Sequence, residues 1–394
     1  MTEIKVKKFR ISMLILGSLA LFTAGVFYAW SILKAPFSFG AAELGLNFTV
    51  SLCAFGFGGL FSGFAAKKVN VKIRLSFGAA LAAIGLVLST FAEHSLVFLI
   101  TSYGLTTGLG IGIIYNSVIG SVNSWFPDKK GFSSGVLLMS FGISTLVLGK
   151  IADTFFGIES IGWKFTYYIL ASFILISALA LAFIARMPNE KDTLPAPKQK
   201  KSANSTNDFS ATETIKKLSF WKLFIFFTLF SAVGSASIGF AKDFLTDAGA
   251  RSSFAVTMVG IVSVCNGLGR LLSGYLFDSI GLRKTQFLTS AVVILATSTA
   301  LIGALTSSLP VCIIGICLCG LSYGFSPTVS AAFIASFYGM KSYASNLGVI
   351  NLVLIPASFM STLAGKIGDF TIVFALLLEL SLVGLVINLT IKKP

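Results

Sequence analysis

The chain has 394 residues, of which 55% are hydrophobic and 11% charged, with a mean hydropathy of +0.89, more apolar surface than any soluble core absorbs. Lipid is therefore the expected solvent, and no stretch of sufficient size is left for a soluble domain. The formal net charge of +15 does not indicate nucleic acid, because the lysines and arginines fall in short runs between apolar segments and do not line one helix face.

In chain order, MTEIKVKKFR leads into an apolar run from Ile11 to Leu33. That run is too long for a signal peptide and has no small-residue cleavage site before Lys34, so it is expected to be the first span. A hydrocarbon layer of about 30 Å is crossed by roughly 20 helical residues. Runs of that length recur at 46–66, 72–92, 95–124, 131–153, 163–186, 220–241, 253–277, 285–307, 309–337, 341–364 and 370–391. The prediction is an all-α membrane protein with twelve transmembrane helices. Its five cysteines, Cys53, Cys265, Cys312, Cys317 and Cys319, lie in apolar segments without CxxC pairing and read as small packing residues, not as a disulfide framework or a zinc site.

Residues 187–219 are polar and rich in Pro, Lys, Ser and Asn, and they read as a cytoplasmic linker between an N-terminal six-helix bundle (1–186) and a C-terminal one (220–394). Within it, ATETIKKLSFW reads either as a short interfacial helix or as more linker. Alternate loops are basic: Lys5, Lys7, Lys8 and Arg10; Lys67, Lys68, Lys72 and Arg74; Lys129 and Lys130; Lys198, Lys200 and Lys201; Arg283 and Lys284; Lys341; Lys392 and Lys393. The opposite loops are mixed, with Glu43, Glu93 and a solvated His94, Asp153 and Glu159, Asp243 and Asp247, and Lys366 and Asp369. The positive-inside rule then puts both termini in the cytoplasm, in a bacterial inner membrane.

Between the eighth and ninth spans the chain reads Gly274-x3-Asp278-x2-Gly281-x-Arg283-Lys284. A carboxylate facing a basic turn across a glycine bend is a charge arrangement that latches neighbouring helices and releases them. This spacing resembles the signature of the major facilitator superfamily, a resemblance that implies two pseudo-symmetric six-helix bundles. The matching stretch of the first half, from Gly59 to Arg74, keeps the bases but has no acid, so its latch is expected to be weaker. Three further stretches resemble the oxalate:formate antiporter family and the neighbouring monocarboxylate porters: Tyr28 to Pro36, Gly108 to Asn116 with the following Trp125-Phe-Pro-Asp-Lys-Lys-Gly131, and Asn266-Gly-Leu-Gly-Arg270. The resemblance covers the chain apart from the linker.

Arg270 lies well inside an apolar span with no carboxylate within one helical turn. An arginine there costs about 2.5–3.5 kcal/mol to insert, which points to a pathway; the alternative is a guanidinium that snorkels or binds backbone carbonyls. Its parallel donors match a carboxylate, and the resemblance implies a substrate-binding role at this position. Asn266, four residues earlier on the same face, offers an amide to the same site or to a neighbouring helix. Tyr28, Tyr115 and Tyr323 lie within spans and are candidates to close the site, and Gly324-Phe-Ser-Pro327 reads as an interruption of the tenth helix. The resemblance implies that oxalate carriers place a lysine on the eleventh helix where this chain has Leu354. A single cation balances a monocarboxylate such as lactate, pyruvate, acetate or formate, and a dianion would be left uncompensated.

For a coupled proton the named residues are Lys34, which alternatively is a snorkelling interfacial lysine, and Glu379, which alternatively pairs across helices. With no catalytic triad, metal cluster or nucleotide loop, the chain reads as a transporter without cofactor. The expected partners are a small carboxylate, H⁺ and lipid, and the expected state is a monomer. Proton symport, carboxylate antiport, a non-transporting carboxylate sensor and a multidrug exporter are the rival functions; a basic site disfavours the last.

Overall fold

The computed structural model describes residues 3–66, 68–128, 130–189, 192, 194, 208–339 and 342–394. Lys67, Lys129, Lys198, Lys200, Lys201 and Lys341 lie outside the described residues, as do the side chains of Lys130 and Asp278. The described residues are helical throughout, with no strand, and twelve helices are long and apolar enough to cross a membrane. They are α1 (Val6–Leu33), α2 (Ala41–Ala65), α3 (Val71–Ser89), α4 (Leu96–Ser124), α5 (Gly135–Phe156), α6 (Gly162–Ile184), α7 (Leu218–Asp247), α8 (Ser252–Phe277), α9 (Leu282–Thr306), α10 (Leu309–Tyr338), α11 (Ser345–Ile367) and α12 (Phe370–Thr390).

Local chemistry sets the helix ends. α2 begins five residues before the expected start because the Glu43 carboxylate accepts the Gly40 N–H at 2.8 Å and caps the first turn. Asn70 and Asp369 cap α3 and α12 in the same way. The turn from α8 to α9 runs through Gly281 at φ 85°, a left-handed conformation that disfavours any side chain. The segment before α7 does contain a short helix, Ala211–Thr214, closed by a Ser210–Glu213 capping box.

Several spans are not regular helices. α1 tightens to a 3₁₀ turn over Gly25–Ala29, α4 widens to a π-helix over Ile100–Thr107, and α5 does so over Thr145–Gly149. α7 kinks at Phe240 and then continues six residues past its expected end. By contrast α10 stays one continuous helix through Pro327, so the expected interruption there is not a break. The α1 turn is possible because a Cβ on Gly25 would lie 2.2 Å from the Phe141 carbonyl oxygen of α5.

Trp-Phe-Pro-Asp after α4 ties three helix ends together. Asp128 pairs with Arg10, whose guanidinium also covers the Phe126 ring, and the Trp125 indole donates to the Arg186 carbonyl at 2.7 Å. Arg186 stacks on Phe9 and Trp125 and gives two hydrogen bonds, 2.7 and 2.9 Å, to Asp192. That pairing holds the Asp192 carboxyl well below the usual carboxylate range. In the first half the acid missing from the latch stretch is replaced by backbone and a hydroxyl: Arg74 donates to the Ser62 carbonyl and Oγ and to the Val69 carbonyl.

Candidate functional site

α8 presents Asn266 and Arg270 one turn apart on an inward face, where they are only 3% and 7% exposed. That face meets α10 at backbone distance. A Cβ on Gly324 would lie 2.1 Å from the Asn266 carbonyl oxygen, and one on Gly269 would lie 2.1 Å from that of Leu321. The Arg270 carbonyl is held by Ser273 Oγ at 3.1 Å and Thr328 Oγ1 at 3.4 Å. The arginine therefore stands on a rigid two-helix platform.

The walls are aromatic and come from both halves of the chain. Tyr28 sits on the 3₁₀ turn of α1, with its ring 6.4 Å from Tyr323 of α10 and 5.3 Å from Phe141 of α5. Tyr115 of α4 packs 5.3 Å from Phe141 and 5.2 Å from Phe55 of α2. The Tyr323 ring rests on Gly234 of α7, where a Cβ would come within 2.1 Å of it. The guanidinium interacts with the Tyr115 hydroxyl and lies within electrostatic range of Tyr28 and Tyr323. Among the described residues its Nε and Nη1 nonetheless have no acceptor, and Asn266 Oδ1 has no donor. Each buried polar group left so costs about 1–3 kcal/mol, more for a charged one. The geometry suits a small anion bound edge-on to the guanidinium under a tyrosine roof.

Five of the residues expected from the sequence, Arg270, Asn266, Tyr28, Tyr115 and Tyr323, thus fall on helices that meet at one place. The others do not. Lys34 does not snorkel: it is 8% exposed, its Nζ is 2.5 Å from Asp243 Oδ2 of α7, and it lies 4.4 Å over the Phe240 ring at the kink. Glu379 is exposed on α12. Of the latch, Arg283 donates to Gln286 and to the Leu389 carbonyl and Lys284 is exposed, while the Asp278 side chain lies outside the described ones.

Sequence reasoning missed Phe141 and Phe55, since phenylalanines abound in every span, and it missed Asp243, which it placed in a loop. A helix phase carried six residues past Ala241 would have put Asp243 inside α7. At the end of the bundle away from the basic loops, Lys34–Asp243 is joined by Lys242–Asp153 at 3.8 Å, by Lys150 Nζ donating to the Ser253 carbonyl at 3.0 Å, and by Thr49 Oγ1 donating to the Ser358 carbonyl at 2.6 Å. All four join one of the first six spans to one of the last six or to the turn between them.

A twelve-span all-helical protein with a charged site between its first and last six helices is an integral membrane transporter in architecture. The sequence matches the Major Facilitator Superfamily over residues 11–387, and the chain belongs to that family. It is 25% identical over 330 residues to an oxalate:formate antiporter of Oxalobacter formigenes, covering 81% of this chain and 76% of that one. It is 23% identical over 331 residues to human monocarboxylate transporter 12, covering 78% of this chain and 64% of that one. In fold it is similar to a crystal structure of a bacterial homologue of the human lysosomal transporter Spinster, inward-facing and unoccupied, with a TM-score of 0.69 at 16% identity over 97% of this chain and 95% of that one.

Proposed function

We propose that the chain is a secondary carrier of small monocarboxylates, moved together with a proton by alternating access between two six-helix halves (1–186 and 220–394, joined by 187–219). The observation that carries this reading is the Arg270 guanidinium, sealed among three tyrosines with two of its nitrogens unpartnered. A carboxylate supplies acceptors in the plane of the guanidinium, a match that a point-charge lysine does not reproduce. The similarity to proteins named for oxalate, formate and monocarboxylates supports the same chemical class.

Charge favours the monoanion. Among the described residues the groups named around Arg270 are tyrosines and phenylalanines, and a dianion in a low-dielectric chamber would keep one charge uncompensated at a cost of several kcal/mol. Carrying a lone anion across would also work against the membrane potential at about 2.3 kcal/mol per 100 mV, a cost that a co-transported proton removes. The acceptor we assign to that proton is the Lys34–Asp243 pair, the ion pair that binds α1 to α7 at the kink. The other charged groups at that end are Lys242 with Asp153 and Lys150, bonded to the Ser253 carbonyl. Losing this pair would remove a tie between the halves at this end. Glu379, exposed on α12, stays the alternative.

The test is uptake of labelled L-lactate, pyruvate, acetate, formate and oxalate into liposomes holding the purified protein, first with an inward proton gradient and then with a potential alone. Monocarboxylate uptake driven by the proton gradient is expected. Oxalate counterflow indifferent to that gradient would replace symport with exchange, and ligand binding without flux would make the protein a sensor.

A further inference from the structure

We propose that the basic end of the bundle carries a binding site for an anionic phospholipid, in a pocket of about 580 Å³ between the first turns of α7 and the end of α12. Four lysines converge on it: Lys217 and Lys222 from α7 and the residue before it, and Lys392 and Lys393 beyond the last turn of α12. Among the described residues no Asp or Glu side chain lines the pocket, whose wall Pro394 completes, and none of the four lysines is in an ion pair. What they do contact leaves their charge in place: Lys222 Nζ donates to the Thr390 carbonyl at 3.1 Å, and Lys217 Nζ lies 4.7 Å over the Phe209 ring. Glu213, four residues before Lys217, spends its carboxylate on the Ser210 N–H and Oγ.

Four ammonium groups in one pocket repel each other, and an anion relieves that repulsion. The surroundings select its kind. Leu218 in the pocket wall is 71% exposed and Trp221, one helical step further, is 48% exposed, with its indole N–H turned back to the Ile215 carbonyl at 2.8 Å. Leu389 and Val386 extend the same apolar surface along α12 towards the middle of the span, each 60% exposed. A tryptophan with its polar edge anchored beside a helix end marks the level of the lipid headgroups. Charge at headgroup level above an apolar strip on two spans matches a phosphate carrying acyl chains, where a free phosphate would use the lysines and leave the strip untouched. Of the anionic lipids, one with two phosphates makes fullest use of four lysines.

The experiment titrates cardiolipin into the purified full chain held in phosphatidylcholine nanodiscs, reading melting temperature and lipid retained by native mass spectrometry. A saturable rise with one retained cardiolipin is expected. The triple variant Lys222→Gln, Lys392→Gln, Lys393→Gln should bind roughly a hundredfold more weakly, from roughly fivefold per lysine at an anionic surface. Lys7→Gln, Lys8→Gln, Lys68→Gln, bases of the same end away from the pocket, should bind as the unaltered protein does. Equal affinity in the two triple variants, or an equal shift from inorganic phosphate, overturns the proposal. If the first triple variant fails to purify, acetylation of the unaltered protein decides: cardiolipin should protect Lys217, Lys222, Lys392 and Lys393 relative to Lys7 and Lys8, and uniform labelling overturns the site.

Discussion

Replacing Arg270 by methionine separates a binding residue from a structural one, because the two roles predict opposite effects on stability. Among the described residues Arg270 Nε and Nη1 have no acceptor, and the arginine bears an insertion cost of about 2.5–3.5 kcal/mol. Methionine keeps an unbranched side chain on the α8–α10 platform and removes both liabilities. Against that stands the loss of one interaction with the Tyr115 hydroxyl, about 1 kcal/mol. Arg270→Met should therefore melt at the same temperature as the unaltered protein or higher. Binding should fall by about 2–5 kcal/mol, the loss expected when a buried charge-assisted contact is truncated, or roughly thirty-fold to several thousand-fold in affinity. The assay pairs a thermal melt of the purified variant with saturation binding of labelled L-lactate, and Arg270→Lys is run beside it to test whether charge without the planar fork suffices. A lower melting temperature together with retained binding would refute the reasoning, since the guanidinium would then be holding the helices and not the solute.

Three further perturbations test the remaining parts. Asp243→Asn deprives Lys34 of its carboxylate; with the lysine buried and the aspartate 41% exposed, the loss falls between exposed and buried pairs, about 1–2 kcal/mol, which shifts an open-to-closed ratio roughly 5- to 30-fold. Distances between spin labels at Ser160 and Asp247 should lengthen and uptake should stop responding to a proton gradient; unchanged distances and coupling would remove the pair from the cycle. Asn266 Oδ1 has no donor, so a hydroxyl on the substrate would satisfy it, and Asn266→Ala should weaken L-lactate more than acetate, by about 1 kcal/mol or fivefold in competition binding. Equal weakening of both acids would assign Asn266 to helix packing. The Asp192 carboxyl is held low by Arg186, so its contribution to stability is complete above the ordinary carboxylate pKa near 4 and is lost as pH falls through its depressed folded value. The melting-temperature gap between the protein and Asp192→Asn should accordingly stay constant from about pH 8 to 5 and narrow only in stronger acid; a gap that closes near neutral pH contradicts the assigned pairing.

The number and order of the spans were legible because a lipid-facing helix must be apolar for its whole length, and the sequence writes that length directly. Arg270 was legible for the same reason: a charge inside such a run stands out. What composition does not encode is backbone irregularity. The 3₁₀ turn that aims Tyr28, the two π-helical stretches and the kink at Phe240 arise from how neighbouring helices press on one another, as where Gly25 admits the Phe141 carbonyl. The partner of Lys34 was not legible because it lies 209 residues away, on a helix drawn too short. The Trp-Phe-Pro-Asp stretch was noticed for its resemblance, yet its physical part, tying Arg10 and Arg186 to the end of α4, required the tertiary structure.

The two ends of the bundle are closed by different forces, and the difference bears on how a carrier could cycle. Away from the basic loops the first and last six spans are joined by two ion pairs and by hydrogen bonds to backbone, and a Cβ on Gly45 of α2 would lie 2.7 Å from the Ser361 carbonyl oxygen of α11. Towards the basic end, two approaches among the described residues are apolar side-chain tips: Leu60 against Gly348, where a Cβ would meet it at 2.9 Å, and Leu271 against Gly135, at 2.4 Å. Leucine tips shift by rotamer change within nanoseconds and break no hydrogen bond, whereas the polar end opens only when several bonds are exchanged for water together. A chamber closed this way yields first at the basic end, and its other end yields to whatever weakens the bonds there. Cooperative opening at one end and graded opening at the other then follow from residue types alone, without a separate gate domain.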